Sequence, residues 1–128
     1  MIVTRIVRAN FVVAVWVCIS ENIYAFAVAI TRYEQIRAHY APFTARVVMA
    51  PLLIAFVELL LWFRFYRWND RSARWAAAWA GAGFLLIMLI QLLRASIQIP
   101  ISVPLIALYA YFAISHLLYA ALGYSQDN

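Results

Sequence analysis

The chain is poor in the residues on which small soluble or secreted domains rely. Its one cysteine, Cys18, cannot build a disulfide framework, so a secreted disulfide scaffold is excluded. Its three glycines, Gly81, Gly83 and Gly123, are too scattered to form a phosphate-cradling loop. Lysine is absent, and only 12% of the 128 residues are charged, about half the share found in a soluble domain. Cys18, His39 and His116 are too few and too dispersed for a zinc or copper site. No Ser–His–Asp or Cys–His constellation can be assembled, so no catalytic activity of the chain's own is expected.

What is present is oily. Sixty-eight per cent of the residues are hydrophobic and 16% aromatic, which excludes disorder. A hydrocarbon core about 30 Å thick takes roughly 20 helical residues to cross. Four stretches are long enough, at about residues 9–31, 43–66, 75–95 and 102–123. The expected fold is all-α. It is a polytopic membrane protein with four transmembrane helices in a compact bundle, one integral membrane domain over residues 1–128.

Proline and polar residues punctuate the runs. Pro42 ends whatever helix continues from the first span, because the residue before proline is pushed out of helical geometry. The polar segment 32–40 lacks a strong breaker and is expected to extend the first helix beyond the membrane surface. Pro51 lies inside the second span, where its missing N–H should kink the helix. Asn69, Asp70 and Ser72 mark the second connection, with Ser72 as the candidate cap of the third helix. Pro100 and Pro104 mark a short third connection.

The ten arginines flank the spans, as cations that meet headgroup phosphates do. Arg5, Arg8, Arg64, Arg67, Arg71 and Arg74 fall on one side, and Arg32, Arg37, Arg46 and Arg94 on the other. Six against four places both termini in the cytoplasm, in a bacterial inner membrane. No basic helix stands apart from the apolar runs, so nucleic acid is not an expected partner. Trp62, Phe63, Phe65, Tyr66, Trp68, Trp75 and Trp79 fit an aromatic belt on the cytoplasmic side. Arg5 and Arg8, an apolar run and Ala25-Phe26-Ala27 resemble a cleavable signal peptide. The apolar stretch resumes directly after Ala27, which favours an uncleaved anchor.

Ionisable groups within a bilayer cost at least ~2.5–3.5 kcal/mol on insertion scales, so each asks for an explanation. Glu21 sits among Cys18, Ser20, Asn22 and Tyr24. Helical spacing puts Cys18, Glu21 and Tyr24 or Ala25 on one face. It is either a proton-binding carboxylate or a hydrogen-bonded link to a neighbouring helix. Glu58 and His116 fall at similar depth in the second and fourth spans. A pair between them would satisfy both and could relay a proton, although matching depth does not establish contact. Gln91, Arg94 and Gln98 form a polar stripe on the third span. It reads as an anion or headgroup site, a salt bridge to Glu21, or an arginine snorkelling to the interface. His116, near Ala113 and Ala120, has the minimum environment of an axial ligand to haem or a chlorin. His39 lies in the opposite connection, so a bis-histidine haem from this chain alone is not expected; a five-coordinate ligand, or one completed by another subunit, stays open at His116.

The packing signal lies in Ala77 and Gly81, and in Ala78 and Ala82, small residues four apart that let helices approach closely. Ala107, Ala110 and Ala113 form a similar face on the fourth span. Leu59, Phe84 and Leu92 read as lipid-facing.

With its four spans and first-span Glu21, the chain resembles the small multidrug resistance transporters, which pair two copies around that carboxylate. The resemblance stops at helix count and Glu21. The glycine-rich helices are missing, the second connection carries four arginines, and membership is not inferred.

Three functions are therefore carried forward. The first is an accessory subunit packing on a larger membrane complex, of respiratory, photosynthetic or transport type. The second is a small homo-oligomeric, proton-coupled transporter using Glu21. The third is a pigment- or haem-binding subunit built on His116. The lipid bilayer is the partner common to all three.

Overall fold

The computed structural model describes residues 2–68, 70–96 and 102–123. Among these residues there are five α-helices, one short 3-10 turn and no strand. The helices are α1 (Ile2–Thr31), α2 (Tyr33–Tyr40), α3 (Thr44–Arg64), α4 (Arg71–Ser96) and α5 (Val103–Leu122), with the 3-10 turn at Tyr66–Trp68. α1, α3 with the 3-10 turn, α4 and α5 are each long and apolar enough to cross a bilayer. The chain is an integral membrane protein in contact with lipid.

Several boundaries differ from the sequence reading. α1 starts at Ile2, so Arg5 and Arg8 belong to the helix rather than to a tail. Its 30 residues span about 45 Å, more than the hydrocarbon core needs. The segment after Thr31 does not extend α1. Arg32 leaves helical geometry (φ −111°, ψ 26°), and a separate helix, α2, follows. α2 ends before Pro42 with Ala41 extended (ψ 138°), the geometry a following proline imposes. Pro51 is accommodated inside α3. Asp70, not Ser72, caps α4: its carboxylate accepts the Ala73 N–H at 3.0 Å. A carboxylate suits the positive end of a helix, and Asp70 stands three residues before that N–H, the reach of an N-cap. Ser102 caps α5 in the same way through the Leu105 N–H, and Pro104 lies in the first turn of α5.

The helices sort into two units. The first comprises Met1–Ala14 and Arg64–Asn128, the second Val15–Phe63.

In the first unit, α4 lies along α5. The close approach is made by Ala73, Ala77 and Gly81, all buried. A Cβ placed on Gly81 would sit 2.8 Å from Leu117 Cγ and 3.2 Å from His116 Cβ. This is the small-residue packing that holds helices together in lipid, where no hydrophobic drive acts between them. Ala82, by contrast, is exposed and Ala78 half-buried, so only one of the two expected stripes is inward. On α5 only Ala113 of the alanine face is buried. Phe84 is a correction: it does not face lipid but is buried against Tyr109, Phe112 and His116. Phe11 completes this aromatic core. It stacks on Tyr119 with ring centroids 4.0 Å apart and meets Tyr66 edge-on at 4.8 Å. Tyr66, expected in the interfacial belt, is therefore a core residue.

The second unit contains the rest of α1 with α2 and most of α3. Thr44, Val48, Ala55 and Glu58 mark the buried face of α3 at helical spacing. Trp16 of α1 meets Trp62 of α3 edge-on at 5.4 Å.

Candidate functional site

In the second unit, the polar knot of α1 divides. Cys18 is fully buried and Asn22 nearly so, and the Asn22 amide donates to the Cys18 carbonyl at 2.8 Å and to its Sγ at 3.6 Å. Glu21 is exposed and has no hydrogen bond or ion pair among the described residues. The three-residue spacing from Cys18 suggested a shared face. The four-residue partner, Asn22, is the one that turns inward with the thiol.

Glu21 heads a different stripe. With Tyr24, Arg32, Gln35, His39 and Tyr40 it lines an open groove along the end of α1 and the length of α2. His39 is held there by its Nδ1–H, which donates to the Gln35 carbonyl at 2.9 Å. The groove is absent from the sequence reading because segment 32–40 was read only as a helix extension. Its signal was there, in polar residues recurring at three- and four-residue steps.

Depth along α1 can be set from Arg8. In the first unit, Arg8 Nε donates to the Gly123 carbonyl, at the end of α5. Arg8 therefore lies level with the end of a spanning helix. Thirteen residues separate it from Glu21, about 20 Å along the axis. Glu21 thus lies well inside a helix long and apolar enough to cross a bilayer.

Glu58 is buried on α3, 2% exposed, and within electrostatic range of Cys18. His116, in the first unit, is 0% exposed. Phe11 and Phe84 stand 5.0 Å from its ring and Tyr66 stands 5.9 Å away. Its Nδ1 lies 2.7 Å from the Phe112 carbonyl. A carbonyl only accepts, so the proton sits on Nδ1.

Arg94 and Gln91 are half-buried on α4, with no hydrogen bond or ion pair among the described residues, and Gln98 lies outside those residues. No group of three or more His, Cys, Asp or Glu side chains gathers for a metal among the described residues.

Sequence reasoning also missed a polar link in the first unit. Asn10 Nδ2 donates to Ser115 Oγ at 2.9 Å, and the Tyr111 hydroxyl donates to Asn10 Oδ1 at 2.9 Å. Tyr111 and Ser115 are four apart on α5, the spacing that could have flagged them. A second omission is the pair of arginines at the end of α5. Arg8 reaches Gly123 and Arg74 Nε donates to the Ala120 carbonyl at 2.8 Å.

No protein family, curated protein or solved structure matches the chain.

Proposed function

We propose that the protein is a small subunit of a bacterial inner-membrane complex, with both termini cytoplasmic, that assembles with another membrane protein through the Glu21 face of α1 and α2. One observation carries this reading. Glu21 is exposed at bilayer depth and has no partner among the described residues. A carboxylate facing acyl chains is costly, and a second polypeptide that hydrogen-bonds it removes the cost. The polar stripe continuing onto α2 extends the same contact past the membrane surface. Glu58 and His116 are buried within the chain and serve packing in this reading, as does the small-residue face of α4.

The test is purification of the tagged full chain in mild detergent. The wild type should bring down a defined membrane protein in fixed ratio, and Glu21→Arg should lose it while staying in the membrane. A lone wild-type chain, or an assembly indifferent to Glu21→Arg, overturns the reading.

A second reading is favoured by the shape of the same groove. Its polar stripe leads from Glu21 along the end of α1 to α2, as an entry route for protons would. In that case two or more copies meet around Glu21 and form a proton-coupled transporter. Uptake into liposomes lost in Glu21→Gln, without any heterologous partner, supports it. Equal uptake by both proteins removes it.

A further inference from the structure

The outer flank of α3, in the second unit, carries a feature apart from the Glu21 groove. Arg46, Met49, Ala50, Leu52, Leu53 and Phe56 line an open notch of about 660 Å³. The buried face of α3 is Thr44, Val48, Ala55 and Glu58, so the notch looks away from the packed side of the helix. Ala50 is the small residue at its floor, and Met49, Leu53 and Phe56 around it are exposed. Steps of three and four residues lead from Arg46 through Met49, Ala50 and Leu53 to Phe56. Ten residues separate the two ends, about 15 Å along the axis and half of a hydrocarbon core about 30 Å thick. The notch therefore has the depth of one leaflet, and Arg46 is the only polar residue lining it.

Arg46 marks the end at the membrane surface. α1 and α3 run antiparallel in this unit, because Trp16 meets Trp62 and Cys18 lies within electrostatic range of Glu58. Arg46 stands twelve residues before Glu58, so it is level with a point about twelve residues after Cys18, where α1 ends at Thr31. Two helices long enough to cross a bilayer thus end at this level, and such ends meet headgroups.

The charge here stays positive after the acid is counted. From Thr31 to Arg46 the chain carries Arg32, Arg37 and Arg46 against Glu34 alone, and Glu34 is bridged to Arg37 at 3.6 Å. Glu58 lies about 18 Å further along α3 on the buried face, and Glu21 about 15 Å back from the end of α1. The first turn of α3 holds no acidic residue. Arg46 is exposed and has no hydrogen bond or ion pair among the described residues. Its guanidinium lies over the Phe43 ring, 5.4 Å from the centroid. The ring takes one face of the cation and leaves the N–H fork at its edge, which matches phosphate oxygens.

We propose that Arg46 and the notch below it form a site for one anionic phospholipid. The phosphate lies on the Arg46 guanidinium. One acyl chain runs from there over Ala50, between Met49 and Leu53, and ends against Phe56.

The full chain is reconstituted in nanodiscs containing phosphatidylglycerol with a diazirine in its acyl chain, and adducts are mapped by peptide mass spectrometry after irradiation. Adducts should concentrate at Met49, Ala50, Leu53 and Phe56, and unlabelled phosphatidylglycerol should compete for them better than phosphatidylcholine. Arg46→Gln should cut that preference about fivefold, the contribution of one arginine beside an anionic headgroup. Arg46→Lys keeps the charge and should keep most of the preference. Arg64→Gln, at the other end of α3, should leave it unchanged. Ala50→Leu fills the floor of the notch and should lower the labelling itself. Melting temperatures in lipid-free detergent verify that the variants fold. Adducts spread evenly over the exposed faces of the spans, equal competition by the two lipids, or a preference unaltered by Arg46→Gln overturns the proposal. A notch left unlabelled because a second copy of the chain covers it overturns it too.

Discussion

Arg8, in the second turn of α1, donates its Nε–H to the carbonyl of Gly123, the residue that ends α5, at 2.6 Å. α5 has no basic residue in its own last turn. Its terminal carbonyls would be left bare near hydrocarbon, and two arginines from other helices meet them, Arg8 at Gly123 and Arg74 at Ala120. The cations also oppose the negative end of the helix dipole. Replacing Arg8 by Gln should destabilise the protein by about 1.5–3 kcal/mol, the range for a hydrogen bond to a charged group. Reversible unfolding in mixed micelles measures it. Arg5→Gln, one turn away and exposed, should fall within about 0.5 kcal/mol of wild type.

The bond network of Asn10, Ser115 and Tyr111 joins α1 to α5 through one side chain that both donates and accepts. Each polar contact between membrane helices is worth about 0.6 kcal/mol on average. Ser115→Ala and Tyr111→Phe should each cost about that much. Asn10→Ala removes both bonds at once, so adding Ser115→Ala to it should cost almost nothing further. A double-mutant cycle reads the difference, and strict additivity would show that Asn10 and Ser115 act independently.

The spans were legible because each is a run of apolar residues of bilayer length, and length is what the membrane demands. Which side of a span faces inward was much less so. Lipid tails are as apolar as leucine, so hydrophobicity does not mark the buried face. Phe84 was therefore read as lipid-facing, although it lies among Tyr109, Phe112 and His116. Small residues carried the information instead, and Ala77 with Gly81 pointed to the right side of α4. Ala78 with Ala82 had the same spacing, so spacing alone gave two answers. Glu21 and Cys18 illustrate the same ambiguity, since three- and four-residue steps both read as one face. Arg8 was read only as a flanking cation because α1 was taken to begin at about residue 9, and Asn10, at the very start of that span, was not weighed as an intramembrane polar group.

His116 is enclosed by three aromatic rings, and its Nδ1–H is committed to the Phe112 carbonyl. A tetrapyrrole on this ring would have to displace Phe11 or Phe84. The purified protein should therefore show no Soret or chlorin band. A band that disappears in His116→Phe would reverse the assignment of this residue to packing. His116→Ala, which opens a cavity between α1, α4 and α5, should cost about 2–5 kcal/mol in unfolding experiments.

Gly81 and Gly83 are two residues apart on α4 and make opposite predictions. A Cβ on Gly81 would lie 2.8 Å from Leu117 Cγ and 3.2 Å from His116 Cβ, so both neighbours on α5 must shift to admit it. His116 is itself held among rings, so the added methyl strains the contact between α4 and α5. Gly81→Ala should lose about 1–3 kcal/mol, as overpacked interfaces do. At Gly83 a Cβ would meet nothing within 4 Å. There the added methyl only removes backbone freedom from the unfolded chain and raises helix propensity. Gly83→Ala should gain up to about 1 kcal/mol. Unfolding of the two variants side by side in one detergent decides the point, because a general intolerance of α4 to alanine would lower both. Only a close approach confined to Gly81 separates their signs.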